Sequence, residues 1–214
     1  MPISDMIRAA LPALAAALAL AACDAAMVGD APSRATVTVA GGPVIIAGPS
    51  GFCVDRSTLN VTDAGAFALM GDCALLGSGG SGLSRSAAGA ALTASISAGG
   101  LAGEGDDPAS SLAEIAAFVQ TPEGRALLGR SGRSDGVRIL ATRPEGDVLY
   151  VLVEDRGAQL ITGVDARFWR AFLEVRERMA VLSVLGFEGS GLDEQASLNL
   201  LATFVATMKA ANGA

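Results

Sequence analysis

The sequence predicts an α+β fold, in which an antiparallel sheet built of hairpins packs against two or three helices, with an α/β/α sandwich as the alternative arrangement. Three observations predict it. Strand-like segments occur in pairs around short turns, helical segments lie between these pairs, and an amphipathic helix ends the chain. The 214 residues are enough for one domain of this kind.

The composition excludes several classes of function. The formal net charge is −7 and Lys209 is the only lysine, so the chain lacks the clustered basic residues that bind nucleic acid. It contains no histidine, which removes the most common general base, the most common metal ligand and the Ser-His and Cys-His nucleophile systems. We therefore expect no cofactor, no metal and no nucleic-acid partner.

The beginning of the chain has the pattern of an export signal. Arg8 precedes an apolar stretch, Ala9–Ala19, which is shorter than the roughly 20 residues that span a bilayer. The next residues, Leu20-Ala21-Ala22-Cys23, resemble the lipobox of bacterial lipoproteins. That resemblance implies diacylglyceryl transfer to Cys23 and cleavage before it. The alternative is an ordinary signal peptide, cleaved after Ala22 or Ala26.

The lipobox divides the chain into three parts. We expect a lipoprotein signal peptide at 1–22, a flexible tether at 23–34 and a single α+β domain at 35–214. The expected location is the cell envelope, with the lipid in the inner or outer membrane and the domain facing the periplasm. Asp24 resembles an inner-membrane retention signal, but the choice of membrane stays open.

The first strands of the domain form a predicted hairpin. Thr36–Ala40 and Pro43–Ala47 are strand-like and flank a two-residue turn, Gly41-Gly42. Further strands are predicted in the first half of the chain at Phe52–Val54, Ala66–Met70 and Leu92–Ser97.

Two cysteines remain once Cys23 is assigned to the lipid. Cys53 and Cys73 would lie in an oxidising compartment, so we expect one disulfide between them. The alternative is a redox-active pair, which usually has the closer Cys-x-x-Cys spacing.

Two helices are predicted in the middle of the chain. Ser111-Leu112-Ala113-Glu114 matches a capping box, and apolar residues then recur at helical spacing as far as Val119. Thr121 and Pro122 begin a second, short helix that ends near Gly129.

The last third contains two more hairpins and the final helix. Val137–Ala141 and Val148–Val153 flank Arg143-Pro144-Glu145-Gly146, and Phe168–Val175 and Ala180–Phe187 flank Arg176-Glu177-Arg178. Asp193 caps a terminal helix with one apolar face, formed by Leu198, Leu201, Val205 and Met208.

Three motifs could have a chemical function, but each also has a simpler structural explanation. Residues 77–82 satisfy Gly-x-Gly-x-x-Gly, but no βαβ unit follows, so we expect a flexible loop. A serine nucleophile would have to use Lys209, close to the end of the chain. Glu104, Asp106 and Asp107 could bind calcium, but their spacing does not match an EF-hand and a solvated acidic loop explains them equally well.

Carboxylates and aromatic residues offer two further alternatives. Acids at or near strand ends could form a glycosidase-like pair, among them Asp55, Asp72, Glu154, Asp155 and Glu174. Trp169 and Phe172 could line a ligand pocket, although isolated aromatic residues more often anchor a core. The sequence selects no catalytic residue.

The domain itself carries a second resemblance. Gly51-Phe52-Cys53-Val54-Asp55, a second cysteine about twenty residues later and Phe168-Trp169-Arg170 are similar to a group of uncharacterised exported proteins of alphaproteobacteria. The order of elements resembles the Mog1/PsbP-type sandwich, in which an antiparallel sheet packs against helices. Neither resemblance implies an activity.

The expected function is that of a membrane-tethered envelope lipoprotein that is not an enzyme and that interacts with, or helps to assemble, another envelope protein. One alternative is a binding protein for a small ligand, which an enclosed apolar cavity lined by Trp169 or Phe172 would favour. An exposed apolar patch would favour the protein partner. A hydrolase based on carboxylates would need two acids with perturbed pKa values in one cleft.

Overall fold

A computed structural model describes residues 31–84, 88–101, 108–157 and 163–213. These residues form ten strands and four helices in an α+β arrangement. The strands are β1 (Arg34–Val39), β2 (Gly42–Ala47), β3 (Phe52–Val54), β4 (Asn60–Thr62), β5 (Gly65–Asp72), β6 (Ala90–Ser97), β7 (Val137–Glu145), β8 (Val148–Asp155), β9 (Arg167–Val175) and β10 (Arg178–Gly186). The helices are α1 (Cys73–Gly77), α2 (Pro108–Phe118), α3 (Pro122–Leu128) and α4 (Glu194–Asn212).

The centre of the molecule is an eight-stranded antiparallel sheet. Its strand order is β3-β5-β6-β10-β9-β8-β7, and β4 pairs with β5 beside this path. Neighbouring strands of the hairpins β7–β8 and β9–β10 are also neighbours in the sheet. The antiparallel, hairpin-built sheet that the sequence predicts is therefore confirmed.

One face of the sheet is covered by the terminal helix and the first hairpin. Strands β1 and β2 pair only with each other, and α4 contacts β2, β9 and β10. The predicted apolar face of α4 is buried here, and Asp193 caps the helix by accepting a hydrogen bond from the Ala196 N–H at 2.7 Å. Strands and helix share one core, whose largest fully buried side chains include Trp169, Phe204 and Met208.

The opposite face is covered by α2 and α3. Leu112, Val119 and Leu128 from this pair of helices pack against alternate residues of the strands, such as Phe168 and Phe172. Helices therefore lie on both faces of the sheet, and the α/β/α sandwich is the arrangement adopted. This layering also agrees with the sheet-on-helix packing that the sandwich resemblance implies.

Two hairpin turns differ by one residue from the prediction. In the first, Val39 pairs with Gly42, so the turn is Ala40-Gly41, with φ of 46° and 75°, rather than Gly41-Gly42. Two central residues with positive φ give a type I′ turn, whose twist matches the strands. Gly42 is already the first residue of β2 and lies against the Arg178 guanidinium, since a Cβ there would be 2.5 Å from Nη2 of Arg178.

The turn of the third hairpin is one residue shorter than the predicted Arg176-Glu177-Arg178. Its turn is Arg176-Glu177, with φ of 48° and 59°, and Arg178 is already the first residue of β10.

The second hairpin is longer than predicted. Strand β7 continues through Pro144 to Glu145, and the turn is Gly146-Asp147. Proline is tolerated because β7 is the edge strand of the sheet, where its missing N–H breaks no hydrogen bond with a further strand.

The predicted start of α2 is wrong, whereas that of α3 is correct. Helix α2 begins at Pro108, so Ser111 lies inside it and is not an N-cap. Thr121 caps α3 by accepting a hydrogen bond from the Gly124 N–H at 3.1 Å, and Pro122 follows as the first helical residue.

A disulfide joins Cys53 in β3 to Cys73, the first residue of α1. Cys23, residues 1–30 and the acids Glu104, Asp106 and Asp107 lie outside the described residues. The end of the predicted 23–34 tether contacts the body, since Pro32 and Ser33 accept backbone hydrogen bonds from Val54 and Gly48. Among the described residues, no helix has the length and apolar character needed to cross a membrane.

Candidate functional site

A groove lies between the helices α2 and α3 and the sheet, and we call it the helix groove. Its volume is about 260 Å³. Among the described residues of its lining, Arg170 is the one charged side chain, and the others are apolar apart from Gly124. The lining consists of Ile115, Phe118, Val119, Gly124, Leu127, Leu128, Arg170, Phe172, Met179 and Val181.

The local sequence explains why the groove exists. Gly124 is packed so closely on the end of α2 that a Cβ there would lie 2.0 Å from the carbonyl oxygen of Phe118. The two helices therefore meet at this point, and α3 is only seven residues long. Leu127, which is 72% exposed, and Phe118, which is 44% exposed, form an apolar rim. Exposed side chains of this size are where an apolar partner or ligand would bind.

Arg170 is the unusual residue of the groove. It lies between Phe168 and Phe172 on the face of β9 that packs against α2 and α3, because side chains alternate along a strand. Its Nε atom is buried and has no hydrogen-bond partner. The guanidinium carbon lies 5.2 Å from the centre of the Phe168 ring, a cation–π distance.

The electrostatic surroundings disfavour the charged form of Arg170. Burial, followed by the nearby charge of Arg130, lowers the pKa of Arg170 to about 10, and Asp155 opposes this shift. A guanidinium normally keeps its proton at any pH that proteins meet. With a pKa of about 10, Arg170 still carries its charge at neutral pH.

Asp155 is the nearby acid, and Arg130 already occupies it. One carboxylate oxygen accepts the backbone N–H of Arg130 at 2.8 Å and lies 3.5 Å from Nε of the same residue, an ion pair without a hydrogen bond, and the other accepts the backbone N–H of Gly157 at 2.9 Å. The Arg130 guanidinium also contacts the Phe168 ring, at 5.3 Å. One buried carboxylate therefore faces two arginines, and it is bonded to only one of them.

A second concavity of about 480 Å³ lies at the ends of β8 and β9, and we call it the charged cleft. Glu154 is buried there, and one of its oxygens accepts from Arg156 at 3.0 Å and from Arg167 at 3.1 Å. Arg167 and then Arg156 lower the pKa of Glu154. Burial and Glu188 raise the pKa of Asp165.

Glu154 and Trp169 have partners within the chain, whereas no described group is bonded to the Asp165 carboxylate, so two acids with oppositely shifted pKa values line this cleft. Two arginines hold Glu154 ionised, and Arg167 connects β9 to β8 through it. The indole N–H of Trp169 donates to the carbonyl oxygen of Glu194 at 3.1 Å. Trp169 is only 1% exposed and anchors the core, as its isolated position in the sequence favours.

The remaining predicted carboxylates are dispersed and have structural roles. Asp55 is buried and bonded to Ser57 and Gly82, Asp72 caps α1, and Glu174 accepts the Leu101 N–H at 2.8 Å. The sequence alternative of a carboxylate pair thus receives no support from these three acids.

Lys209 and the glycine-rich motif also have structural partners. Lys209 forms an ion pair with Asp147, with its Nζ atom 2.5 Å from a carboxylate oxygen. Residues 77–82 close α1 and pack on the body, since the Gly82 N–H donates to Asp55 at 2.9 Å and Gly82 is buried. Within the described part of the chain, no group of three or more acids or cysteines could hold a metal ion.

Sequence reasoning found one groove residue, Phe172, and missed Arg170. The alternation of side chains along the strand could have identified Arg170. It interrupts the apolar residues 168–173, and the residues two positions away on the same face, Phe168 and Phe172, are both large and apolar. A charge at such a position is rare without a partner.

Comparison with known proteins adds little. No family model and no curated protein matches the chain. The chain is similar to the crystal structure of the Ran-binding protein Mog1p of Saccharomyces cerevisiae, with 12% sequence identity and a TM-score of 0.42. The match covers 83% of this chain and 93% of that one. At this TM-score, the likeness supports no statement about partners or activity.

Proposed function

We propose that the chain is a lipid-anchored binding protein of the cell envelope that is not an enzyme, and that its helix groove holds an apolar ligand. The observation that carries this proposal is the lining of the groove. Its floor and walls come from side chains such as Phe172, Val181 and Leu128, with the single polar side chain Arg170. Apolar walls with one or two well-placed polar groups are typical of ligand sites.

The groove can be tested with a neutral apolar dye, N-phenyl-1-naphthylamine. Fluorescence of the dye should rise on binding to the wild-type protein. Val181→Phe should reduce its affinity about tenfold, because the larger ring fills the groove. Val61→Phe, at an exposed position of β4, is the matched control and should bind normally. No binding to the wild type, or equal binding to both variants, would contradict the proposal.

Docking of another envelope protein is the second candidate function. It is favoured by the exposed rim of the groove, formed by Leu127 and Phe118. A photo-crosslinking amino acid at position 127, activated in native membranes, should then capture one protein reproducibly. The same amino acid at the exposed position 61 should not. Equal labelling at both positions would count against a docking surface.

The lipid anchor is proposed from the lipobox at residues 20–23 and from the resemblance to exported alphaproteobacterial proteins. Cys23→Ser should abolish incorporation of labelled palmitate and move the protein from the membrane to the soluble fraction. Intact-mass measurement that finds an unmodified Cys23 in the mature wild-type protein would refute the anchor.

A further inference from the structure

The Arg170 side chain lines an apolar groove and is partly buried. Its Nε atom is buried with no hydrogen-bond partner, and Arg170 forms no ion pair with a described residue. Removing part of a charged group from water without a partner is costly, so such arginines are usually paired. Such an exception calls for an explanation, of which a missing anion is one.

The acid whose charge acts on Arg170 is already bonded elsewhere. Asp155 accepts hydrogen bonds from the backbone N–H groups of Arg130 and Gly157. The phenyl ring of Phe168 contacts the guanidinium, but a ring supplies only part of the stabilisation that an anion gives.

The chemistry of the groove limits what the anion can be. Its other lining side chains carry no hydrogen-bonding group, so the amides of a peptide lying in it would lose water without gaining partners. An alkyl chain has no such cost. A single guanidinium matches one negative charge, and its paired N–H groups fit the two oxygens of a carboxylate.

We infer that the helix groove binds an alkyl carboxylate, with the carboxylate on Arg170 and the chain extending past Phe172 and Val181 toward Leu127. This inference rests on the proposed ligand-binding function and specifies the ligand class. The bound carboxylate supplies the partner that Arg170 lacks, and the apolar rim covers the far end of the chain.

The test compares decanoate with decanol, two probes that differ only in the head group. The full chain carrying Cys23→Ser is used, which removes the proposed lipid without altering the described body. Calorimetry should show decanoate binding at least about tenfold more tightly than decanol, the factor expected for hydrogen bonds to a charged group. The ¹⁵Nε resonance of Arg170 should shift with decanoate and not with decanol.

Two variants separate the head group from the groove. Arg170→Met should retain decanol binding and lose the preference for decanoate, whereas Arg138→Met, at an exposed position of β7, should behave as the wild type. Near-ultraviolet circular dichroism checks folding. Should Arg170→Met fail to fold, Arg170→Lys replaces it and should weaken decanoate binding severalfold, because an ammonium cannot bind both oxygens in a plane.

Each outcome decides between the proposals. Equal affinity of the wild type for both probes would overturn the carboxylate inference and leave the apolar groove standing. Binding of neither probe would overturn the proposed ligand function as well. Tighter binding of decyl phosphate than of decanoate would overturn the match to one negative charge. A protein crosslinked at position 127 that decanoate fails to displace would make the groove a docking surface instead.

Discussion

At the scale of single residues, Asp55 shows how a buried carboxylate can be stabilised by the chain itself. It accepts hydrogen bonds from the Ser57 hydroxyl at 2.6 Å, the Ser57 N–H at 3.0 Å and the Gly82 N–H at 2.9 Å. Burial raises the pKa of Asp55, but these hydrogen bonds together outweigh it and lower the pKa below the ordinary value of 3.8. Arg170 is the contrasting case, a partly buried charge that forms no ion pair with a described residue.

The lowered pKa of Asp55 predicts a pH-dependent contribution to stability. The folded protein holds the carboxylate ionised more strongly than the unfolded chain does. The stabilisation is therefore present above pH 3.8 and is lost as the pH falls through the folded pKa. Asp55→Asn should lower the free energy of unfolding by about 1–2 kcal/mol at neutral pH, and this difference should shrink toward pH 2.

Urea unfolding at neutral and acidic pH measures this effect. Asp63→Asn, at an exposed position, is the control and should change little at either pH. A difference between Asp55→Asn and the wild type that does not depend on pH would contradict the role of the carboxylate.

At the scale of elements, the tight turns determine which residues face each side of the sheet. The β9–β10 turn consists of Arg176 and Glu177, both with positive φ, which costs non-glycine residues free energy. Gly146, at φ 61°, occupies such a position in the β7–β8 turn. A shift of one residue would turn the alternating side chains to the wrong face, so the strands keep the register despite the strain.

The turn residues give predictions of opposite sign. Glu177→Gly should raise the free energy of unfolding by about 0.5–1 kcal/mol, because glycine adopts positive φ without strain. Gly146→Ala should lower it by about 1 kcal/mol, since a Cβ there meets nothing within 4 Å and only backbone strain is introduced. Chemical denaturation measures both, and a loss of stability in Glu177→Gly would refute the strain assignment.

The side chain of Asn212 forms hydrogen bonds between the terminal helix and the first hairpin. The Asn212 amide accepts the Ile45 N–H at 2.9 Å and donates to the Ile45 carbonyl oxygen at 2.8 Å. Asn212→Ala should cost about 1–3 kcal/mol, because the Ile45 groups lose their partner. Amide exchange at Ile45 should accelerate in this variant and stay unchanged in Asn199→Ala, whose side chain is exposed. Unchanged exchange in both variants would show that the contact does not hold the hairpin.

At the scale of the whole molecule, the disulfide closes one edge of the sheet. Cys53 lies in β3, at the end of the strand order, and Cys73 follows β5 directly. The bond spans a sequence separation of 20, and a loop of that size contributes about 3 kcal/mol in the chain-entropy model.

Replacing both cysteines, Cys53→Ser with Cys73→Ser, should therefore lower the free energy of unfolding by about 3 kcal/mol. Reductant should destabilise the wild type by a similar amount and leave the double variant unaffected. A wild-type unfolding curve that is insensitive to reductant, with two reactive thiols after denaturation, would show that the bond is absent in solution.

Most elements were predictable because their determinants are local. The cap at Thr121, the apolar face of α4 and the strand at Ala66–Met70 depend on neighbouring residues and were predicted correctly. The predicted start of α2 was wrong because Ser111-Leu112-Ala113-Glu114 matches a capping box although these residues lie inside the helix, which begins at Pro108. The first turn was placed one residue late and the third was given one residue too many, because Gly42 and Arg178 resemble turn residues, whereas each is the first residue of the strand after a two-residue turn.

The sequence by itself determined the fold class, the exclusion of histidine chemistry, the pairing of Cys53 with Cys73 as an expectation and the expected lipid anchor at Cys23. The first three follow from composition or from spacing along the chain, and the lipid anchor follows from the lipobox resemblance and stays a prediction. Only the tertiary structure decided that Arg170 forms no ion pair with a described residue and that it lines an apolar groove. The charge state of a buried group depends on what packs around it, and Arg130, Asp155 and Arg170 come from segments that only folding brings together.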